Sequence, residues 1–542
     1  MISRNILQAS TLLYSAFMES LGSKPKPSFA TALVISILVF ASSTSGQRTG
    51  GPTPEQNTAQ CFERLKSEPL ELLAFLKKMP KGADLHSHLS GATYAESYIL
   101  WAAEKGWCVD EKDFRLLFPP CDPEYSSAVK FALTEQRLRR KIIEAWSMQN
   151  WPLSTQSGHD HFYEVFARFG PVTFGQNGVM LAEVVHRAAE NQVIYLELML
   201  SPDVGFSSRI GQVTGWDGNF EGTLEKLKGN GIAQAALQAV KNLQDWEAQK
   251  DQLLKCGTPQ ADPGCLVSVR YIYQVPRATL LSNVYAQLVT GFILANDPTS
   301  RVVALNLVQA EDSLPALENF SLQMQMLHYL GTLYPKAHVT LHAGELTPEL
   351  VPREALRFHI RESINTGRAE RIGLGVDLMY EDEPFSLLEE MAGKNIMVEI
   401  CLSSNYAVLG VRGKQHPLSL YLKYGVPVAL ATDDEGVLRT DMTHEYLKAV
   451  EEHGLGYIQL KMMARNSLEY AFLDGTSLWK DARKGVLTSE CLTDVLDKKS
   501  ISVSCRQFLA ASEKARLQWR LENEFVGFEK YTPACQFMAV DK

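Results

Sequence analysis

A chain of 542 residues with 45% hydrophobic, 21% charged and 9% aromatic residues has ample material for a core, which excludes wholesale disorder and a mini-protein. Its length allows roughly two to four ordinary domains or one large barrel with insertions. With 53 Lys and Arg against 62 Asp and Glu, a formal charge of −9, it has no basic surplus for phosphates or anionic lipid, so nucleic acid is not an expected partner.

Residues 29–43, FATALVISILVFASS, form a strongly apolar run preceded by Lys24 and Lys26 and followed by small polar residues, the pattern of a secretory signal. The run is shorter than the ~18–20 residues of a spanning helix. Residues 1–43 are therefore expected to be a leader, cleaved to give a secreted or periplasmic protein without a stable membrane span; the alternatives are an uncleaved anchor and a cytosolic protein whose leader misleads. Either Met1 or Met18 is the start. Residues 44–60, polar and rich in Gly and Pro, read as a flexible linker, and 61–542 as a single domain.

Eight short β-rich runs follow, at 83–89, 193–200, 266–275, 302–309, 338–345, 371–375, 396–404 and 426–434, with helical patterns between them. That alternation predicts an α/β fold, a (β/α)8 barrel of the TIM type, whose active site gathers at the C-terminal strand ends. The long intervals predict helical insertions after strand 1 (about 101–190) and strand 2 (about 205–265), and 443–525 reads as a helical cap. The nine cysteines contain no C-x-x-C, which argues against a cysteine-built zinc site. Cys108 with Cys121, and Cys256 with Cys265, flank loop-like stretches; they either close local disulfides in an oxidising compartment or stay as buried thiols.

The strand ends carry the chemistry. In Asp84-Leu-His86-Ser-His88 the two histidines, one residue apart on a strand, point to the same face. His342 in LHAGE and Asp433 in ATDDE end two other predicted strands. Three imidazoles and one carboxylate suit one Zn²⁺ per chain with a solvent position left open. Glu345, three residues after His342, is placed to carry protons between a metal-bound water and a substrate nitrogen. Asp434 either orients that water or caps the following helix.

PKGADLHSHLSGA, LHAGE, RIGLGVDL, SSN and TDDE, in this order, resemble the adenosine deaminase family of metal-dependent amidohydrolases, and within it the exported bacterial-type members. The resemblance spans roughly residues 75–475. It implies zinc-dependent hydrolytic deamination of adenosine or a related 6-aminopurine nucleoside to inosine and ammonia. His86, His88, His342 and Asp433 would hold the zinc, Glu345 would protonate the purine, and Asp434 would partner the attacking hydroxide. Leu374 departs from the family pattern R-I-G-H-G, whose histidine helps stabilise the transition state. His359, which reads as a surface helix histidine, and His416, near the end of the seventh strand, are the candidates to replace it. Ser90 stands where the family carries an Asp that meets the ribose, Asn306 replaces an Asp, and Gln309 replaces a Gly whose backbone meets the purine. These departures keep two other functions open: a hydrolase for a different amine or amide, and an impaired zinc-binding barrel that binds a nucleoside or a receptor. Oligomeric state is left open.

Overall fold

The computed structural model describes residues 51–153, 156–496 and 500–531. The expected leader, 1–43, lies outside the described residues, as do residues 44–50 of the expected linker. Among the described residues no helix is long and apolar enough to cross a membrane.

All eight predicted strands form, in order: β1 (Gly82–His88), β2 (Val193–Leu200), β3 (Ser268–Pro276), β4 (Val302–Val308), β5 (His338–Ala343), β6 (Arg371–Leu374), β7 (Met397–Ile400) and β8 (Val428–Leu430). Each pairs in parallel with the next. The ring closes through a bridge between Ser87 and Asp433, where His88 N donates to the Asp433 carbonyl at 2.9 Å and Asp433 N donates to the His86 carbonyl at 2.8 Å. The seam is therefore made of residues that the sequence assigns to chemistry. Strands such as β2, VIYLELML, are buried along their whole length because helices cover the outside and side chains fill the inside.

Three parts differ from expectation. Residues 54–60 are not a flexible linker but the start of α1 (Pro54–Leu65), which has proline at its first position and buries Cys61, Phe62 and Leu65 at helical spacing. The first insertion is not purely helical: Cys108–Asp110, Leu116–Leu117 and Ser126–Ala128 make a small antiparallel sheet, stapled by a Cys108–Cys121 disulfide. The cap is helical at Met442–His453 and Tyr457–Glu469, then breaks into a hairpin of Trp479–Asp481 and Val486–Leu487 before Val503–Ala511 and Glu513–Tyr531. Glycines at positive φ, Gly475 and Gly485, interrupt the helical run there. A Cys256–Cys265 disulfide closes the end of the second insertion, and a third, Cys491–Cys505, was not anticipated.

One insertion helix matters for the site. α2 (Gly158–Phe169) begins at Ser157, whose hydroxyl accepts from Asp160 N at 3.0 Å, an N-cap. It buries His161, Phe162, Val165 and Phe169 along one stripe and lies across the barrel mouth.

Candidate metal centre and active-site cavity

An irregularity in the β1–β2 register falls between Asp84 and Ser87, so His86 and His88 lie on a distorted strand end facing inward. His86 is seated against Gly373 of β6, where a Cβ would fall 2.5 Å from the imidazole. The Nε2 atoms of His86 and His342 lie 3.0 Å apart and those of His88 and His342 3.3 Å apart. Asp433 Oδ1 is 3.4 Å from Nε2 of both His86 and His88. One ligand-type atom from each of these four residues falls within 4.8 Å of the others.

What stands behind the imidazoles decides whether they suit a metal. His86 Nδ1 faces Glu399 Oε2 at 2.6 Å, His88 Nδ1 faces Gln274 Oε1 at 3.1 Å, and His342 Nδ1 faces Asn306 Oδ1 at 2.9 Å. Each acceptor claims the Nδ1 proton and turns an Nε2 lone pair toward a common point. Lone pairs that close repel one another unless a cation lies among them. The local charges agree. Burial opposes a charge on His86, yet Asp433 and Glu399 outweigh it and lift its pKa to about 10. Burial pushes His88 and His342 down. The cluster is built to hold positive charge, and its nitrogen and oxygen donors fit a divalent metal.

Glu399 belongs to a buried chain of charges that sequence reading missed. Its Oε1 accepts from Arg371 Nε at 2.6 Å and from Thr340 Oγ1 at 3.0 Å, and Arg371 also reaches Glu197 Oε2 at 2.6 Å. Burial works against the charge on Glu399, but Arg371 and His86 outweigh it and hold its carboxyl below the usual range. A lone glutamate inside an apolar strand, as in VIYLELML or IMVEICLSS, is the signal that could have found it.

A cavity of about 410 Å³ opens beside the cluster, lined by His88, His342 and Asp433, by Glu345 and Asp434, and by Ser90 and Gln309 among others. Every site residue expected from the sequence but the fully buried ligand His86 thus faces one space. Burial, then Asp433 and Glu311, raise Glu345 to about 8, so it keeps a proton at neutral pH. Its backbone N donates to Glu311 Oε2 at 3.0 Å and its carboxylate accepts from Tyr163 at 3.2 Å. Asp434 is pushed well above the carboxylate range by burial and by Asp433, and its Oδ1 has no hydrogen-bond partner within the protein. That oxygen occupies the space a Cβ on Gly91 would need, at 1.4 Å, so Gly91 keeps the pocket open for it.

The departures resolve differently. Asn306 faces no substrate: its Oδ1 accepts from both N and Nδ1 of His342, leaving Nδ2 buried without a partner. Gln309 has φ of +79°, the backbone expected where the family has glycine. Leu374 is fully buried among Val376, Cys401 and Ala431. His359 is not on the surface; it is buried against Phe320, with Nδ1 on Glu311 Oε1 at 2.6 Å. His416 is also buried, bonded to Asn405 Oδ1 at 2.9 Å. Neither lines the cavity, so neither replaces the missing histidine.

The adenosine deaminase family model matches residues 154–480, more than half of the chain. The chain belongs to the adenosine deaminase family. It is 34% identical over 175 residues to adenosine deaminase of Pectobacterium atrosepticum, covering 32% of this chain and 47% of that protein. It is 37% identical over 138 residues to adenosine deaminase of an Escherichia coli strain, covering 25% and 38%. The chain thus spans less than half the length of the curated relatives it matches. Among solved structures, adenine deaminase from Arthrobacter aurescens is similar at 17% identity and a TM-score of 0.48, covering 73% of this chain and 94% of that one.

Proposed function

We propose that the protein is a zinc-dependent hydrolase that deaminates a 6-aminopurine nucleoside, adenosine in the first instance, to the 6-oxo nucleoside and ammonia. The observation that supports this most is the convergence of three imidazole Nε2 atoms and one carboxylate at the wall of a cavity that also holds Glu345 and Asp434. His86, His88, His342 and Asp433 would hold the metal. Zn²⁺ supplies Lewis acidity that brings the pKa of a coordinated water toward neutrality.

The chain's own groups do the rest. Protonated Glu345 donates to a ring nitrogen as the C6–O bond forms, relieving the negative charge that attack pushes into the ring. Asp434, whose Oδ1 has no partner within the protein, holds the attacking oxygen by a hydrogen bond. The proton of that oxygen passes to the departing amine, ammonia leaves as the C6–N bond breaks, and the next water to ionise returns a proton to Glu345. Phe162 and Phe166 of α2 cover the base and exclude water. Ser90 is placed for a ribose hydroxyl, and the Gln309 backbone for the purine edge. Among the described residues lining the cavity there is no Lys or Arg, while Glu345, Asp433 and Asp434 are acidic. That lining disfavours a 5′-phosphate and favours a nucleoside over a nucleotide.

Leu374 removes a polar group from the family's set, a loss worth ~10²–10³ in turnover. The test is adenosine with the zinc-loaded protein and its Leu374→His variant, followed by loss of the adenine absorbance. Slow turnover by the natural chain and about 10²-fold faster turnover by the variant is the expected result. Turnover by the variant alone makes the natural chain a binding protein. No turnover by either, with one zinc bound per chain, refers the site to another amine. Failure to bind zinc overturns the assignment of the ligands.

A further inference from the structure

The helix over the barrel mouth is tied to the loops after β4 and β5 through two residues one turn apart, His159 and Tyr163. At the start of α2, His159 lies between Asp160 Oδ1 and Asp312 Oδ1, 3.0 Å from each. Burial opposes its charge, but Asp312 and Asp160 outweigh that and lift its pKa to about 9, so the contact is an ion pair. One turn later, at i+4 and so on the same face, the Tyr163 ring sits 4.9 Å from the imidazole and its hydroxyl donates to Glu345 Oε2 at 3.2 Å. Burial holds that phenol far above its ordinary pKa, so it remains a donor.

Asp312 follows Glu311, and Glu311 accepts from the backbone N of Gly344 at 3.2 Å and of Glu345 at 3.0 Å. One dipeptide after β4 therefore fixes the main chain of Glu345 through Glu311 and the helix that touches its side chain through Asp312. Tyr163 makes the side-chain hydrogen bond to the Glu345 carboxylate among the described residues.

We propose that Tyr163 is a positioning residue for Glu345, aiming its free oxygen at the substrate nitrogen, and that the His159–Asp312 pair latches α2 in the position where this contact is made. The inference rests on the proton-donating role given to Glu345 above. A donor on Oε2 fixes the carboxyl's rotation and leaves Oε1 for the transfer, a geometric demand on which proton transfer depends steeply. It also makes the insertion a working part of the site: when α2 lifts, Glu345 loses its aim.

The zinc-loaded full chain, its Tyr163→Phe variant and its Asp312→Ala variant test this. Tyr163→Phe keeps the ring and removes only the donor. With adenosine it is expected to lower kcat about tenfold while KM changes less than twofold. An unchanged kcat, or a rise in KM alone, reduces Tyr163 to a packing residue and overturns the proposal. Amide hydrogen exchange provides a readout without turnover. Asp312→Ala is expected to speed exchange both in 158–169 and in 344–347, while faster exchange in 158–169 alone overturns the coupling. If the natural chain turns over no 6-aminopurine nucleoside, the proposed reaction fails, and the exchange result still decides whether helix and loop are linked.

Discussion

Gln309 shows how a single residue carries the mark of a lost glycine. Its φ of +79° lies in a region that costs a side-chain-bearing residue ~1–2 kcal/mol relative to glycine. Part of that cost is offset because Gln309 Oε1 accepts from Ala278 N at 3.1 Å and its carbonyl accepts from Arg277 Nε at 3.1 Å. The carbonyl bond survives truncation and the side-chain bond does not. Gln309→Gly is therefore expected to leave stability within about 1 kcal/mol of the parent in urea unfolding. It should also lower KM for adenosine by clearing bulk from the cavity rim. A large loss of stability would mean that the side chain, not the strained backbone, dominates there. This position was legible in the sequence only as a departure from a motif; the positive φ gives the departure its physical meaning. Asn306 shows the opposite case, since no spacing reveals that its amide oxygen faces the Nδ1 of His342 on the neighbouring strand β5.

At the scale of elements, strands β1, β5 and β8 were legible because their polar residues stand at the ends of apolar runs, a contrast that alternation makes visible. Glu399 on β7 was not, because its partners Arg371 and His86 come from β6 and β1 and meet it only when the barrel closes. Its two oxygens each serve a different donor, which an amide cannot do. Glu399→Gln is expected to weaken zinc binding ~10–100-fold in chelator competition, because His86 loses the acceptor that fixes its tautomer. The apoprotein should lose about 3 kcal/mol in urea unfolding as Arg371 becomes under-paired. Unchanged zinc affinity would mean that His86 is oriented by packing alone. Glu445, on the cap helix Met442–His453, gives a pH test away from the metal. Its oxygens accept from Ser403 N at 3.1 Å and Thr440 Oγ1 at 3.0 Å, and burial raises it to about 7. Because the folded pKa lies above the unfolded value of 4.5, the native state holds the proton more tightly, and stability falls as pH rises from about 4.5 to about 7. Glu445→Gln should remove that decline, gaining stability above pH 7 and none below pH 4.5, as read from urea midpoints across the range.

At the scale of the whole molecule, the barrel was legible from end to end, while its attachments were not. Strand order follows chain order, so eight apolar runs were enough; the hairpin and third disulfide of the cap have no such regularity to announce them. The difference is one of energetics as well as pattern. The main core runs continuously through the barrel and its helices, whereas Cys491 and Cys505 pack with Leu478, Leu509 and Ala515 in a separate small cluster. Cys108–Cys121, Cys256–Cys265 and Cys491–Cys505, three disulfides among the described residues, each join cysteines 9 to 14 positions apart, so each limits the unfolded chain only locally, by about 3 kcal/mol. None of them touches a strand that bears a proposed ligand. Reduction is therefore expected to speed hydrogen exchange in 108–128, 254–266 and 474–496 and to lower the thermal midpoint, while zinc affinity stays as it was. Cys401, free and buried at the end of β7, should remain unreactive to thiol reagents until the barrel itself unfolds. If zinc is released when the disulfides are reduced, or if Cys401 becomes reactive at the same point, the attachments and the barrel unfold as one unit and the separation argued from the two clusters is wrong.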